Sequence, residues 1–202
     1  MYVALGDSTG VGVGAKSGGG YVDRVVKQLR EHTSDLVVAN LCMSGATSAV
    51  VRERQLGAAI ARRPHLATVM VGGNDLWRGI APDAFAKNLD VIADNLTRVG
   101  AVVVMANVAN LAHAPIAAHA ERLAGVKLDD VEQRAARFND VVAKVVARHD
   151  VVLVDLHGQA SLRERPELFC ADGFHPSDEG YAAIADQLWA AIERGGVVRK
   201  SA

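Results

Sequence analysis

YVALGDS, residues 2–8, is an apolar run that ends in a glycine, an aspartate and a serine. A short apolar run bounded by glycine predicts a buried strand of a parallel sheet. In open α/β sheets the ligand crevice lies at the carboxyl ends of the strands. Ser8 follows the first strand at that end, so the stretch predicts an α/β protein with a functional serine hydroxyl at the edge of its sheet.

The alternation of strand and helix continues along the chain. Five strands alternating with helices, without repeats or low-complexity linkers, predict one domain over residues 1–202, a three-layer α/β/α sandwich with a five-stranded parallel sheet. After the first strand, apolar runs predict strands at 36–40, 66–71, 102–108 and 151–155. Helical spacing and helix start signals predict helices at 21–32, 48–63, 82–99, 129–149 and from about 177 onward.

Two stretches are predicted to be irregular. Residues 10–20 are dense in glycine, which excludes regular structure and lets the backbone approach a ligand closely. Residues 109–128 form the longest irregular connection, and long loops in compact domains tend to be lids or substrate loops. An interruption of the helix at 48–63 is expected at Gly57.

Composition limits the partners and the compartment. Lys and Arg number 22 against 23 Asp and Glu, so no overall field favours nucleic acid or an anionic membrane, and a small molecule is the expected partner. No stretch reaches the roughly 18 apolar residues of a spanning helix, and the first strand leaves no room for a signal peptide. We expect a soluble cytoplasmic protein, or a secreted one if a leader was removed. Cys42 and Cys170 fit free buried thiols in a reducing compartment, with a bridge between them as the alternative.

Four short motifs follow or precede the predicted elements in a fixed order. Taken singly they are weak, because a lone serine or asparagine is usually a cap or turn residue. Together, over nearly the whole chain, they resemble the four blocks of the SGNH (GDSL-type) hydrolases. The resemblance implies a flavodoxin-like sheet and a hydrolase of carboxylic esters. The motifs are GDS at 6–8, Gly45, GND at 73–75 and DGFHP at 172–176.

The resemblance implies a catalytic triad. Ser8 is then the nucleophile, His175 the base and Asp172 the carboxylate that orients His175. The chemistry agrees, because a serine is a poor nucleophile without a base and an orienting group. Pro176 fixes His175 in an extended conformation, and Asp172 can turn back across Gly173 to hold one ring nitrogen.

The resemblance also implies an oxyanion hole. Its donors are the backbone N–H groups of Ser8 and Gly45 and the side-chain amide of Asn74, and losing one such donor typically costs about 10²–10³ in turnover. Asp7 and Asp75 are interpreted as structural acceptors of loop N–H bonds.

Substrate preference is less defined. Trp77 and Arg78 are candidate pocket residues, although a tryptophan at this position is at least as often part of the packing. Thr9 stands where the family usually has leucine, which puts the substrate preference in doubt and leaves the mechanism intact. Only 4% of residues are aromatic, so a carbohydrate-stacking platform is not expected. Small acyl esters, thioesters or lysophospholipids are the predicted substrates, cleaved through an acyl-enzyme without metal or cofactor.

Two other classes of function compete with this hypothesis. Residues 10–20 nearly match a nucleotide or phosphate-binding loop, but Ala15 stands where the phosphate loop needs glycine and Asn40 where a ribose-binding acid belongs. The second class is a metal-dependent phosphoesterase, but the candidate ligand set in this sequence lacks the further histidines that a two-metal site would normally require. Its ligands would be Asp7, Asn74, Asp75 and His175.

Overall fold

Five parallel strands form the central sheet of the computed structural model, which describes residues 1–117, 122, 127–158 and 165–198. Their order across the sheet is β2-β1-β3-β4-β5, and every neighbouring pair is parallel. This is the flavodoxin-like, doubly wound order, so the predicted fold class is confirmed. The strands are β1 (Tyr2–Gly6), β2 (Val38–Asn40), β3 (Leu66–Met70), β4 (Val102–Ala106) and β5 (Val152–Val154).

Helices cover both faces of the sheet. In the described part of the chain they are α1 (Ser8–Val11), α2 (Tyr21–His32), α3 (Ser48–Val50), α4 (Leu56–Ala61), α5 (Gly73–Trp77), α6 (Pro82–Arg98), α7 (Leu128–His149) and α8 (Asp178–Arg194). A π turn (Val51–Gln55) joins α3 to α4, and short 3₁₀ turns lie at Leu111–His113 and Pro166–Leu168. None of the helices in these described ranges is long and apolar enough to cross a membrane.

The strand residues divide between two apolar cores, because successive side chains of a strand point to opposite faces. On β1, Val3 and Leu5 lie in the core beneath α4, α6 and α7, whereas Tyr2 and Ala4 lie in the core beneath α2 and α8. Fully burying a large apolar side chain contributes roughly 1.5–3 kcal/mol each. The two cores therefore hold β1 in the interior of the sheet, between β2 and β3, and with it the turn that carries Ser8.

Short helical segments account for most of the differences from the sequence prediction. Residues 8–11 are helical although glycine density predicted a loop, because Asp7 caps α1 by accepting the Thr9 N–H at 3.0 Å. The helix after Ser48 departs from α geometry at Val51–Gln55, and Gly57 lies inside α4, so the predicted break at Gly57 is wrong. The predicted loop at 109–128 lies partly outside the described residues.

Candidate active site

A chain of hydrogen bonds links a hydroxyl, an imidazole and a carboxylate at the carboxyl edge of the sheet. Ser8 stands at the start of α1, directly after β1, and its Oγ lies 2.9 Å from His175 Nε2. His175 Nδ1 lies 2.6 Å from Asp172 Oδ2. Residues from the two ends of the sequence therefore meet in the order that proton transfer from a serine requires.

The carboxylate is held in place by its own hairpin. Asp172 Oδ1 accepts the N–H groups of Phe174 at 2.8 Å and of His175 at 2.9 Å, and the Cys170 thiol at 3.2 Å. Partial burial alone would raise the pKa of Asp172, but the bonds from the His175 ring and from these N–H groups outweigh it and hold the pKa below its ordinary value. Asp172 is thus an ionised partner for His175 at neutral pH.

The hairpin is closed by backbone bonds. Cys170 N–H donates to the His175 carbonyl at 2.8 Å, and Gly173 N–H donates to the Cys170 carbonyl at 2.9 Å. Beyond the hairpin, Ser177 caps α8 by accepting the Gly180 N–H at 3.2 Å. The local sequence therefore fixes the direction of His175 before any contact with Ser8 is made.

The candidate oxyanion donors lie on three separate segments: Ser8 at the start of α1, Gly45 in the loop after β2 and Asn74 in α5. Asn74 Nδ2 donates to the Ala46 carbonyl at 3.1 Å and, over a longer 3.4 Å, to Asp7 Oδ2. Gly45 has a φ of 75°, and its carbonyl accepts a bond from Arg78 Nη2 at 3.0 Å. A Cβ on Gly45 would meet only Arg78, at 3.5 Å, so backbone conformation is what requires glycine here.

A cavity of about 140 Å³ adjoins these groups. Ser8, Asn74 and His175 line its polar end, and most of the remaining side chains are apolar. The apolar part includes Met70, Val71, Val108, Leu111, Leu156, Leu168, Phe169, Phe174, Ala183 and Ile184.

Comparison with known proteins gives the family of the chain. Residues 4–183 match the model of the GDSL-like lipase/acylhydrolase family. The chain belongs to this family. Esterase TesA of Pseudomonas aeruginosa is 26% identical over 195 residues, which are 95% of this chain and 87% of that protein. The predicted SGNH (GDSL-type) hydrolase is thereby confirmed, and the protein is a carboxylic ester hydrolase.

Solved structures of this hydrolase fold are similar over almost the whole chain. A crystal structure of TesA has a TM-score of 0.76 at 25% identity and covers 96% of this chain and 98% of its own. The psychrotrophic esterase EstA from a Pseudoalteromonas species has a TM-score of 0.76 at 17% identity and covers 98% of each chain. The second of these likenesses concerns the fold alone.

Trp77 and Arg78 are not among the residues that line this cavity, and a substrate contact for them stays a prediction. Trp77 packs against the core beneath α4, α6 and α7, with its ring edge-on to Phe174 at 6.4 Å between centroids. Arg78 bonds Gly45, as described above. Sequence reasoning missed the apolar lining instead. The one signal for it was the helical spacing of α8, which brings Gly180, Ala183 and Ile184 to one face.

Two buried carboxyl groups bind the loops around the site. Asp7 accepts the Thr9 N–H, and Asp75 accepts the N–H of Ser48 at 2.9 Å and its hydroxyl at 2.6 Å. Burial raises the pKa of both carboxyl groups, although the bonds they accept oppose it. In the part of the chain that the structure describes, no group of acidic, histidine or cysteine side chains could hold a metal ion, so Asp7, Asp75 and His175 do not form the site of the phosphoesterase hypothesis.

The glycine-rich loop is bound to α8. The N–H groups of Lys16 and Ser17 donate to the Asp178 carboxylate at 2.9 and 3.1 Å, and they lower the pKa of Asp178 to about 2. A phosphate loop needs such N–H groups for its ligand. Here a carboxylate of the chain takes them, which argues against the nucleotide-binding hypothesis.

Both cysteines are free thiols of intermediate exposure, so they do not form a bridge. The Cys42 side chain lies under α1, where a Cβ on Gly10 would run into its sulfur. Burial raises the pKa of Cys42 to about 12, which keeps this thiol protonated. Cys170 contacts the carboxylate of Asp172 instead, on the other side of the site.

Proposed function

We propose that the protein cleaves carboxylic esters through an acyl-enzyme formed on Ser8. The observation that carries the proposal is the continuous chain of bonds from Ser8 Oγ through His175 to Asp172, at 2.9 and 2.6 Å. His175 Nε2 takes the hydroxyl proton as Ser8 attacks the ester carbonyl, and then gives it to the leaving alcohol. Water repeats the sequence on the acyl-enzyme and releases the acid.

The charge of the tetrahedral intermediate needs donors that are already in place. We assign this role to the backbone N–H groups of Ser8 and Gly45 and to the Asn74 amide. Asn74 Nδ2 makes a long 3.4 Å bond to Asp7 in the resting enzyme, so turning this donor toward the oxyanion costs little. Asp172 stabilises the imidazolium of His175 that forms at the same time.

A labelling experiment tests the mechanism. A fluorophosphonate should add once, to Ser8, and abolish ester cleavage, because it reacts with serines activated by a base. Ser8→Ala should abolish both labelling and activity, whereas the surface variant Ser34→Ala should change neither. Activity that is lost to a chelator while Ser8 stays unlabelled would overturn the proposal in favour of metal-assisted hydrolysis.

For the substrate we propose esters or thioesters of short to medium acyl chains. The cavity of about 140 Å³ beside Ser8 is mainly apolar. An apolar cavity of about 150 Å³ is known to hold benzene, so room for about six carbon atoms is expected here. Each methylene buried contributes about 0.8 kcal/mol, or about a fourfold gain in kcat/KM. The gain should continue from acetate to about hexanoate and then stop.

A matched pair of variants tests the cavity. Ala183 lines it from α8, and Ala182 is the preceding residue on the same helix, half-buried but outside the lining. Ala183→Leu should lower kcat/KM for p-nitrophenyl hexanoate about tenfold relative to the acetate, because the added side chain fills the space. Ala182→Leu should keep the wild-type chain-length profile. Identical profiles for the two variants would place the acyl chain elsewhere.

A further inference from the structure

Gln55 makes an unusual contact with the strand that leads to Ser8. Its side chain is 1% exposed and lies at the end of the π turn, Val51–Gln55. Gln55 Oε1 accepts the N–H of Gly6 at 2.9 Å, and Gln55 Nε2 donates to the carbonyl of Gly6 at 2.8 Å. One side-chain amide thus satisfies both polar groups of a single backbone residue.

The residue that it holds is the last one of β1. Gly6 precedes Asp7 and Ser8, and its carbonyl also accepts the N–H of Met43 at 3.1 Å. On its other side the strand is crowded, because a Cβ on Gly6 would run into the Met70 carbonyl. Gly6 is therefore fixed from several directions, and Gln55 supplies the two bonds that come from a side chain.

The π turn explains why Gln55 reaches Gly6. A π turn contains one residue more than an α turn, so it changes the direction of the side chains that follow, and such turns are frequent at functional sites. The same helical segment begins at Ser48, which bonds the buried Asp75 beside Asn74. One segment therefore connects β1, which precedes Ser8, with α5, which carries Asn74.

We propose that Gln55 is a positioning residue for the nucleophile. By holding Gly6 it fixes the backbone that carries Ser8, and so keeps Ser8 Oγ within 2.9 Å of His175 Nε2. This inference rests on the proposed role of Ser8 as nucleophile. Since misplacing a reacting group by about 1 Å can cost about 10² in rate, the contribution of Gln55 should appear in kcat. A purely structural amide would only satisfy buried backbone groups, and its loss would appear in stability alone.

Gln55→Glu gives a test that depends on pH. A protonated carboxyl has the same shape and can both accept from Gly6 N–H and donate to the Gly6 carbonyl, whereas the ionised form can only accept. Burial raises the pKa of the introduced carboxyl above its ordinary value of about 4.3. Negative charge on Asp7, which follows Gly6, or on Asp75, which bonds Ser48 of the same helical segment, would raise this pKa further. Arg52, Glu53 and Arg54 of the π turn are at least partly exposed, so solvent screens their effect.

The expected result is a kcat that, relative to wild type, is close to normal at pH 5 and falls about ten- to 10²-fold by pH 8, with KM little changed. Thermal unfolding at each pH gives the folded fraction, so that kcat is expressed per folded molecule. Gln55→Met, which keeps the length without the bonds, should lose the same amount of kcat at all pH values. It serves as the second variant if Gln55→Glu does not fold.

Asn139 on α7 supplies the matched control. It makes the same pair of bonds to the N–H and carbonyl of Val108, at 2.8 and 2.9 Å, just beyond the end of β4. Val108 lines the cavity but precedes no reacting group, so a change at Asn139 can affect KM without misplacing Ser8. Asn139→Asp should lose stability as the pH rises but keep a constant kcat ratio to wild type. A constant kcat ratio for Gln55→Glu as well would overturn the positioning role. Failure of the wild-type enzyme to label at Ser8 would instead overturn the proposed function on which it rests.

Discussion

Asp172→Asn removes the charge of Asp172 while the hairpin keeps its shape. An asparagine has one oxygen and one NH₂ group to place, and the structure decides which goes where. The oxygen must take the position of Oδ1, because the N–H groups of Phe174 and His175 both donate to that atom. The NH₂ group then occupies the position of Oδ2 and faces His175 Nδ1.

This orientation gives His175 the wrong tautomer. Nδ1 must accept a bond from the new NH₂ group, so the ring proton moves to Nε2, which then donates to Ser8 Oγ and cannot take its proton. The corresponding change in a serine protease lowers kcat about 10⁴-fold, or about 5.4 kcal/mol at 1.36 kcal/mol per factor of ten. A similar loss of kcat is expected here.

Stability should change little in the same variant. The bonds to the position of Oδ1 persist, although their acceptor becomes neutral. Because the Asp172 side chain is 46% exposed, solvent screening keeps the loss in the free energy of unfolding to about 1 kcal/mol. For a chain of this size the unfolding temperature should fall by roughly 2–4 °C. The cost therefore falls mainly on catalysis.

The assay measures kcat and KM with p-nitrophenyl butanoate, together with the unfolding temperature, on one preparation. His175→Ala and the double variant complete the set. Because Asp172 and His175 act as one unit, the double variant should be little slower than His175→Ala alone. The reasoning would be refuted by a kcat within tenfold of wild type together with a large fall in unfolding temperature, which would make Asp172 an anchor of its loop.

Two further outcomes are expected. Asn74→Ala should lower kcat about 10²–10³-fold with little change in KM, because the side-chain amide of Asn74 is expected to donate to a charge that exists only in the transition state. A raised KM at constant kcat would assign Asn74 to substrate binding instead. Asp178→Asn should speed hydrogen exchange at Lys16 and Ser17. The pKa of Asp178 is lowered to about 2, so the stabilisation that Asp178 gives to this loop is complete above the unfolded pKa of about 3.9 and is lost as the pH falls through about 2. Exchange at Lys16 and Ser17 in the wild-type protein should therefore quicken as the pH falls over that range. Unchanged protection of these two N–H groups would contradict the role of Asp178 in holding the loop.

The larger elements of the fold could be predicted because their signal is local. Apolar spacing predicted the helix at 21–32 with the bounds that the structure has, and the strand at 66–71 within one residue. The short helices α1 and α5 were missed because four or five residues are too few for a periodic pattern. They are stabilised instead by tertiary partners, as the capping of α1 by Asp7 illustrates.

The polar residues of the site were predictable because each follows a strand or precedes a helix within a short motif. The cavity was not, because its walls come from separate elements whose distance depends on packing. Phe174 and Ile184 meet there although they belong to different segments. Gln55 was missed for a related reason: in the sequence it is one polar residue among the charged residues of a helix, and only the π turn buries it.

These contacts divide the site into two parts. Ser8 and Asn74 belong to one part, since the helical segment that begins at Ser48 bonds Gly6 through Gln55 and Asp75 through Ser48. His175 and Asp172 belong to the other, whose hairpin is closed by its own backbone bonds. The bond between Ser8 and His175 joins these two separately hydrogen-bonded parts, so its length depends on how the two parts are held rather than on either residue alone. Residues that touch neither substrate nor Ser8 can therefore set the rate by fixing one part relative to the other.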